Sequence, residues 1–507
     1  MGNVESYPGL VRARSMNVAD NAPNSSPNSS PNPSPNPSPN PSPNPSLDSQ
    51  NGFKTIREND PSNNLEAITQ AKKIEWLESY NEYVKSDEPS SNAHADVGGI
   101  GEPVFNSGTQ VNSDDLASLR QVTIRSVEVL RESRPGLLDV ISEIDGRLAH
   151  QLIGLRGVGD ETHFFRPGED GVLGLFEDKE GLVVAVDALK DVQLAGLLLE
   201  SLFGDQVTSA PATVFSDSED SDVLTFGNDF TFSIFPWLLE KPHPGVELLV
   251  ALDEAGFNHL AAPIALWRRG GSDLGIVQEV LAGMAGGWAL ALTSLRDLYA
   301  SGDEPEVAGG DFASEAQALG MMTARMHLAM DKAFGRQTIE IRSCVESIEK
   351  SVREKNPSLL QDPDVSKAFS KLRSARLQLP ILRTHGDLHL GRTARTDQGW
   401  VVTDFAPGGL DPDASGVELR SPLADVADMV WSFHYVASVA ATERDPTGRL
   451  ELNELAKAWE LRNRRSFLSG YMAAPGIGGL VLRDRELVRN LVAIFELERF
   501  ARKSFTR

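Results

Sequence analysis

The sequence predicts an α+β fold with two unlike parts. Short runs of apolar and β-branched residues, separated by polar turns, recur between residues 148 and 279 and indicate strands. From residue 289 onward the apolar residues recur with helical spacing over long segments. A run of strands followed by a run of helices is the pattern of an α+β protein. We therefore expect a strand-rich part to precede a helical lobe.

A strand–loop–strand segment at residues 380–405 is the most informative stretch of the chain. It predicts a strand that enters a polar loop, a turn at 397–399 and a second strand that delivers Asp404. Asp387 lies in the loop, so two carboxylates reach the same end of a hairpin. Phosphoryl transfer needs such a pair: one Asp orients the attacking hydroxyl and accepts its proton, and the other holds the magnesium ion on the nucleotide phosphates. Asp387 is predicted to be the first and Asp404 the second.

The motifs around both aspartates resemble those of the aminoglycoside-phosphotransferase-like sugar kinases, with this chain as a divergent member. His385-Gly386-Asp387-Leu388-His389-Leu390-Gly391 is similar to their catalytic loop, and Thr403-Asp404-Phe405 to their metal motif. The narrower resemblance is to the maltokinases, bacterial enzymes that phosphorylate maltose with ATP. It extends from about residue 230 to the C-terminus and is faint over 145–205. Further similar motifs are Gln278-Glu279-Val280, Gly287-Trp288-Ala289-Leu290, Ala324-Arg325-Met326-His327-Leu328-Ala329 and Ser421-Pro422-Leu423-Ala424-Asp425-Val426-Ala427-Asp428-Met429.

The resemblance implies a bilobal, protein-kinase-like fold with an N-terminal cap domain. ATP and Mg²⁺ would be the cofactors, and a sugar, with maltose as the first candidate, would be the acceptor. His385 and His389 would belong to the catalytic loop around Asp387. The resemblance also implies a role in trehalose and glycogen metabolism, with a protein partner from that pathway.

Three positions depart from the chemistry of these kinases. Arg392 stands five residues after Asp387, where a protein kinase has an Asn that binds the second metal ion. Ser233 stands where the phosphate-binding lysine is expected, and Ala406 where maltokinases have an acid. A cation at position 392 cannot bind magnesium. It can replace part of the metal's charge, or it can pair with Asp387 or Asp404 and so inactivate the base.

Composition narrows the class of protein. The 507 residues allow two or three domains, and 40% hydrophobic residues are enough for real cores. The single cysteine, Cys344, excludes a disulfide framework and fits the cytoplasm. No apolar run is long enough to span a membrane, and the first 30 residues lack a secretory signal core, so we expect a soluble chain. The net charge of −24 argues against an extended nucleic-acid surface but not against one nucleotide.

Residues 1–113 are predicted to be a largely disordered tail. Residues 23–46 consist of Asn, Pro and Ser, a composition that cannot offset the entropy lost on ordering. A spacer is the simpler interpretation and a docking motif the alternative. One short helix is predicted at 64–84, where apolar residues share one face.

Residues 114–208 are predicted to be a small α/β cap domain that packs on the next unit. Helical spacing at 114–130 is broken by Pro135, and a strongly apolar helix is predicted at 191–203. Between them, strands are predicted at 150–155, 163–165, 172–176 and 182–187. The turn Asp187-Ala188-Leu189 faintly resembles one in the maltokinase cap.

Residues 209–285 are predicted to be the strand-rich lobe of a kinase. Such a lobe carries a glycine-rich phosphate loop and a lysine on its third strand. The turn at 216–222 has four acidic residues and no glycine, which should repel a triphosphate. Ser233 falls at the lysine position, with misalignment of a divergent segment as the alternative.

Two further sites in this lobe are expected from the kinase pattern. Glu247 stands where a glutamate pairs with the strand lysine, but it could equally be a first-turn acid that favours the helix dipole. Gln278, Glu279 and Val280 end a strand at the place of the hinge. The resemblance implies that backbone groups of Glu279 and Val280 meet an adenine there.

Residues 286–507 are predicted to be the helical lobe that contains the catalytic loop. Helices are expected at 289–299, 312–334, 338–354, 363–377, 422–439, 453–472 and 484–503. His327 is interpreted as a packed structural histidine, and the methionines at 321, 322, 326 and 330 as core. Asp425 is expected to brace the catalytic loop through its backbone or through His385. A solvated pair of Asp425 and Asp428 is the alternative.

Two functions of different classes remain open from the sequence. The first is a maltokinase-like enzyme with ATP and magnesium in the cleft, favoured by Asp387 and Asp404. The second is a pseudokinase that serves as a binding or regulatory subunit, favoured by the acidic loop. An Arg392 side chain in the metal position, together with loop acids that point into the phosphate cleft, would count against the enzyme.

Overall fold

The structure is a computed structural model that describes residues 3–6, 122–157, 171–178, 181–203, 212–217, 222–227, 229–308, 310–405, 419–444 and 452–503. The Asn/Pro/Ser tract and the helix predicted at 64–84 lie outside these residues. So do the strand predicted at 163–165, Ala406 and residues 218–221 of the acidic loop. The divisions at residues 114, 209 and 286 stay predictions.

An antiparallel sheet with the strand order β2-β3-β4-β6-β5 forms the cap. The first elements of the chain are β1 (Asn3–Ser6), β2 (Val122–Arg131), β3 (Gly136–Ile144), β4 (Arg147–Gly157), β5 (Val172–Asp178), β6 (Gly181–Asp187) and helix α1 (Val192–Phe203). The helix predicted over 114–130 is wrong in its described part, because residues 122–130 belong to β2. Two register shifts in the β2–β3 pairing interrupt the alternation of apolar residues, and the interrupted spacing resembled that of a helix.

A second antiparallel sheet, β1-β11-β12-β9-β8-β7, follows along the chain. Its region contains β7 (Ala212–Asp217), β8 (Asp222–Phe226), β9 (Phe230–Ile234), β10 (Trp237–Leu238), helix α2 (Pro244–Glu254), β11 (Pro263–Arg269) and β12 (Ser272–Glu279). Phe232 and Trp267 are buried in this lobe, and Phe232 meets Phe203 of α1 with ring centroids 5.8 Å apart. The strand-rich character predicted for residues 209–285 is confirmed in their described part. The pairing of β1 with the edge of β11 was not predicted.

Buried charges join the cap to the second sheet. Strand β10 pairs with β4, and the His150 ring of β4 contacts Asp139 at 3.1 Å and the Phe235 carbonyl oxygen at 2.9 Å. Arg269 of β11 forms ion pairs with both Asp139 and Glu128. Burial raises the pKa of Asp139, but His150 and Arg269 outweigh it and hold that pKa below its ordinary value. Because both sheets contribute to this network, the cap and the lobe are fixed to each other.

The helical lobe begins where the second sheet ends. It contains β13 (Ala285–Gly286), α3 (Gly287–Ser301), α4 (Ala313–Phe334), β14 (Arg336–Glu340), α5 (Ile341–Lys355), α6 (Pro363–Ser374), β15 (Gln378–Arg383), β16 (Thr393–Thr396), β17 (Gly399–Val402), β18 (Leu419–Arg420), α7 (Leu423–Arg444), α8 (Leu452–Ala473) and α9 (Arg485–Lys503). The helices predicted in this region are confirmed with one correction. Residues 338–340 are strand, because β14 pairs with β15, and the helix begins at residue 341.

Close packing of α4 and α8 supports the catalytic side of this lobe. Gly320 and Gly470 lie where the helices meet, and a Cβ on either would collide with the other helix's backbone. Buried methionines of α4, among them Met322 and Met326, confirm the predicted core face. Among the described helices, none is long and apolar enough to cross a membrane.

Candidate active site

Asp387 lies in a loop whose course depends on a glycine. Strand β15 ends at Arg383, and the loop turns through Gly386, whose φ is +84°. Residues with a Cβ are strained in this left-handed region, whereas glycine is not. The Asp387 N–H then donates to His385 Nδ1 at 3.4 Å. Glycine between His385 and Asp387 therefore allows the tight turn that presents the Asp387 carboxylate.

Asp425, at the start of α7, holds this loop from below. Its two carboxylate oxygens accept hydrogen bonds from the backbone N–H groups of His385 at 2.8 Å and Gly386 at 2.9 Å. Although burial raises it, hydrogen bonding from His327 and the backbone keeps the pKa of Asp425 below its ordinary value. The predicted brace is confirmed, and the alternative of a solvated pair is wrong, because Asp425 is fully buried.

His327 completes this support as a packed structural residue, as predicted. Its Nε2 contacts Asp425 at 3.0 Å, and its Nδ1 contacts the Tyr471 hydroxyl at 2.9 Å. Since the carboxylate can only accept, Nε2 carries the proton and Nδ1 accepts from Tyr471. Three helices, α4, α7 and α8, thus fix the position of the catalytic loop.

His385 joins the two predicted catalytic segments. Its backbone N–H is held by Asp425, and its buried ring donates from Nε2 to the Asp404 carbonyl oxygen at 2.7 Å. Burial lowers the pKa of His385, so the ring stays neutral near pH 7. His385 therefore sets the distance between the loop and Asp404. The structure gives it a positioning contact.

Arg392 lies between the two predicted catalytic carboxylates. It ends a short 3₁₀ segment, Leu390–Arg392, whose first turn is capped by the His389 ring. Its guanidinium contacts Asp387 Oδ2 at 3.2 Å and Asp404 Oδ2 at 2.8 Å. Of the alternatives left open by the sequence, pairing with the carboxylates is the observed one, and it includes both of them.

Asp387 has two further positive neighbours. Arg499 of α9 forms an ion pair with its Oδ1, and His389 Nε2 lies 3.6 Å from its Oδ2. Burial raises the pKa of Asp387, but the nearby His389 ring and the charges of Arg499 and Arg392 outweigh burial and hold that pKa well below its ordinary value. The sequence predicted α9 but not Arg499's contact, because the pairing joins residues far apart in the chain and leaves no local pattern.

Asp428 lies behind Arg499. Asp428 is buried, and its Oδ2 lies 3.4 Å from a guanidinium nitrogen of Arg499. The same guanidinium packs over Trp431, with its central carbon 5.7 Å from the ring centroid. Burial raises the pKa of Asp428 to about 7, and Arg499 only partly offsets this effect. The carboxyl of Asp428 therefore changes its charge close to neutral pH.

A magnesium ion held between Asp387 and Asp404 does not fit the residues present. Mg²⁺ needs near-octahedral oxygen ligands at close range, and the space between these carboxylates holds a guanidinium instead. The same arginine, Arg392, also stands at the position where a kinase has its second metal ligand. Among the described residues, no cluster of three His, Cys, Asp or Glu side chains is arranged to hold a metal ion.

The residues predicted to contact the nucleotide make contacts within the chain. Ser233 lies in β9, paired with Ile276 of β12, and has a half-buried side chain at the position predicted for the lysine. Glu247 accepts from Arg383 at 2.7 Å, so its partner is an arginine at the end of β15. Arg383 also donates to the Pro244 carbonyl oxygen at 2.6 Å, which ties it to the N-terminus of α2. Glu247 is therefore a first-turn acid that joins the two lobes.

The predicted hinge residues lie at the end of β12. The Gln278 side chain donates to the Ala261 carbonyl oxygen at 3.1 Å. The backbone N–H of Glu279 donates to the Ala262 carbonyl oxygen at 3.0 Å, and that of Val280 donates to the Asp229 carbonyl oxygen at 3.2 Å. An adenine that hydrogen-bonded to the Val280 N–H would have to displace the Asp229 carbonyl. In the acidic turn, the structure describes the pairing of residue 217, at the end of β7, with residue 222, at the start of β8.

Comparison with known proteins identifies sugar kinases as similar chains. No protein-family model matches the chain. A glucosamine kinase of Mycolicibacterium smegmatis (strain ATCC 700084 / mc(2)155) is 28% identical over 239 residues, which are 43% of this chain and 58% of that protein. A glucosamine kinase of Streptacidiphilus jiangxiensis is 25% identical over 319 residues, 58% of this chain and 68% of that protein. The chain thus spans less than two thirds of the length of the first relative.

Solved structures establish the fold. A glucosamine kinase in complex with glucosamine, ADP and inorganic phosphate superposes with a TM-score of 0.55 at 17% identity, over 75% of this chain and 88% of that one. A second crystal form, form B, gives a TM-score of 0.51 at 18% identity, with the same coverage. The predicted bilobal, aminoglycoside-phosphotransferase-like α+β fold is confirmed. The resemblance to sugar kinases of this fold is supported, and the narrower resemblance to maltokinases stays a prediction.

Proposed function

We propose that this chain phosphorylates a sugar hydroxyl with ATP. The observation that carries the proposal is the loop of Asp387, which is held by Asp425 and His385 next to Asp404. A carboxylate fixed at the end of a strand, beside a second one, is what phosphoryl transfer to a hydroxyl requires. Sequence similarity to glucosamine kinases supports the same reaction class.

Asp387 would act mainly by orienting the acceptor. Its lowered pKa keeps the carboxylate ionised, so it accepts a hydrogen bond from the sugar hydroxyl and receives the proton as the new bond to phosphorus forms. Arg392, Arg499 and His389 fix the carboxylate in one orientation. Since a magnesium ion does not fit the carboxylates as they are arranged, no step is assigned to it.

An amino sugar is the acceptor we propose first. Both relatives named above are glucosamine kinases, which favours a hexosamine over the maltose expected from the motifs. Maltose stays the second choice. A role in trehalose and glycogen metabolism, and a protein partner from that pathway, remain predictions that rest on the maltokinase resemblance alone.

A second candidate function is sugar binding without turnover. It is favoured by one observation: Arg392 and Arg499 each contact one carboxylate oxygen of Asp387, and Arg392 also lies between Asp387 and Asp404. A base whose lone pairs are taken by guanidinium groups accepts a hydroxyl proton poorly. One of the two conditions that would count against an enzyme is thus met. The other concerns the acidic loop, most of which lies outside the described residues.

An acceptor screen tests the proposal. The full chain is incubated with ATP and, separately, glucosamine, glucose or maltose, with and without Mg²⁺, and sugar phosphates are detected by mass spectrometry. We expect a hexosamine phosphate from the wild-type chain, and a loss of about 100-fold or more in rate for Asp387→Asn, the usual contribution of a positioned acid or base. Glucosamine and ATP binding without product from any sugar would support the binding protein instead.

A further inference from the structure

We infer that Arg392 is a built-in cation of this site, so that a nucleoside phosphate binds here without a divalent metal ion. The inference rests on the proposed function in one respect, that the cleft between the lobes takes a nucleotide. The inference goes beyond the proposed function because it names a different ligand. The site would bind the free nucleotide and not the complex of the nucleotide with magnesium.

The backbone delivers Arg392 to this place from both sides. Its N–H donates to the His389 carbonyl oxygen at 2.9 Å, and its carbonyl oxygen accepts from the Thr403 N–H at 3.0 Å. The second of these bonds ties the arginine to the residue before Asp404. The side chain is also only 11% exposed, so surrounding atoms enclose most of it. Arg392 is therefore part of the packed loop, and its position is not that of a mobile surface arginine.

The charge of Arg392 lies where the kinase reaction places a metal ion. In kinases the cation is held by the carboxylate after the second strand and neutralises the nucleotide phosphates. Here the guanidinium spans Asp404 at 2.8 Å and Asp387 at 3.2 Å. A divalent ion at the same place would be repelled by it. Since guanidinium does not lose its proton in proteins, the positive charge is permanent.

Guanidinium also has the geometry to take over the phosphate contact. Its planar set of five N–H donors can bind a carboxylate and a phosphate oxygen at the same time. The Asp404 side chain is 44% exposed, so the edge of the pair that a ligand would approach is open to solvent. A phosphate group bound at this edge would lie beside the Arg392 guanidinium.

The position predicted for the phosphate-binding lysine of a kinase also lacks a cation. The strand position of the phosphate lysine is Ser233, and Glu247, its usual partner, is paired with Arg383. Neither the lysine nor the second metal ligand is therefore present at the position predicted for it, while Arg392 lies between the two carboxylates. A fixed positive charge at a point where a metal ion does not fit is consistent with metal-free recognition of phosphate.

Titration calorimetry on the full wild-type chain tests the inference. ATP and adenosine are titrated once in excess EDTA and once in excess Mg²⁺. We expect ATP to bind in EDTA with the affinity that it has in Mg²⁺ or better, and adenosine to bind more weakly than ATP. ATP binding that requires Mg²⁺ would overturn the inference and leave the proposed function standing. No binding in either buffer would contradict both, and equal binding of adenosine and ATP would show that no phosphate is recognised.

Variants sharpen the result. Arg392→Gln should weaken ATP binding in EDTA by about tenfold or more, the loss of one charge-assisted hydrogen bond, and should make binding respond to Mg²⁺. Arg392→Lys keeps the positive charge but loses the planar set of N–H donors. Its affinity for ATP in EDTA should lie between those of wild type and Arg392→Gln. Arg462→Gln is the matched control, because Arg462 also bridges two acids, Asp311 and Glu306, but at the surface of the helical lobe. Equal ATP binding in EDTA by wild type and a folded Arg392→Gln variant would overturn the inference.

Discussion

The two sides of the cleft differ in what they keep of a kinase. On the helical side, the catalytic loop retains its supporting contacts: Asp425 accepts from the loop backbone, and His385 reaches Asp404. On the strand side, the strands are present, but the described residues at the positions predicted for nucleotide contacts make other contacts. Ser233, at the position predicted for the lysine, is paired with Ile276, and the Val280 N–H donates to the Asp229 carbonyl oxygen.

The difference separates scaffold from chemistry. Side chains that hydrogen-bond to the loop backbone, such as Asp425, are buried. Their loss would leave polar groups unpaired inside the protein, so the fold depends on them. Groups that touch phosphates contribute little to folding and can change. Arg392, which we infer to contact phosphate, would belong to the second kind by position but is fixed like the first, because its backbone is hydrogen-bonded on both sides.

The largest expected effect is on the scaffold side. Asp425→Ala removes a buried carboxylate and leaves two backbone N–H groups and His327 without their acceptor, so it should lower the free energy of unfolding by about 3–5 kcal/mol. Urea unfolding followed by circular dichroism measures it. Glu443→Ala, which removes an exposed ion pair with Arg296, is the control and should change little. A similar loss in both variants would remove Asp425 from its supporting role.

A smaller effect is expected from Asp428, which couples the scaffold to pH. Its pKa is raised to about 7 in the native protein, whereas the unfolded chain releases the proton near the ordinary Asp value of about 4. The native state therefore holds more protons between these values, and this contribution to stability is lost as pH rises toward 7.

Asp428→Asn should remove that loss. Relative to wild type, the variant should gain about 3 kcal/mol between pH 5 and pH 8, because about two units of the pKa shift fall in this range and each is worth about 1.4 kcal/mol. Taking the difference between the two proteins cancels the other titrating groups, such as His385. If the difference is flat with pH, the carboxyl is ionised throughout and its burial is compensated.

The smallest effect is expected on the strand side. Glu247 is 51% exposed and paired with Arg383, so Glu247→Gln should change stability by less than about 1 kcal/mol and leave ATP affinity unaltered. Thermal unfolding and ATP titration check both. A large loss of ATP affinity would show that Glu247 organises a phosphate contact after all, and the contrast between the two sides would fail.

The sequence predicted the supported half of the site better than the rest. Asp387, Asp404, the brace by Asp425 and the packed His327 follow from local motifs whose spacing fixes their place. Arg499 could not be predicted, because its contact with Asp387 depends on how α9 packs against the loop. Strand β2 was mistaken for a helix where register shifts break its alternation, and β14 was included in a helix because its pairing with β15 is a tertiary effect.

A crystal structure of the chain with ADP, grown in the presence of Mg²⁺, tests the central claim most directly. The account predicts that the Arg392 guanidinium stays between Asp387 and Asp404 and donates to a phosphate oxygen. A six-coordinate magnesium ion bound by these two carboxylates, with the Arg392 side chain turned away, would contradict it.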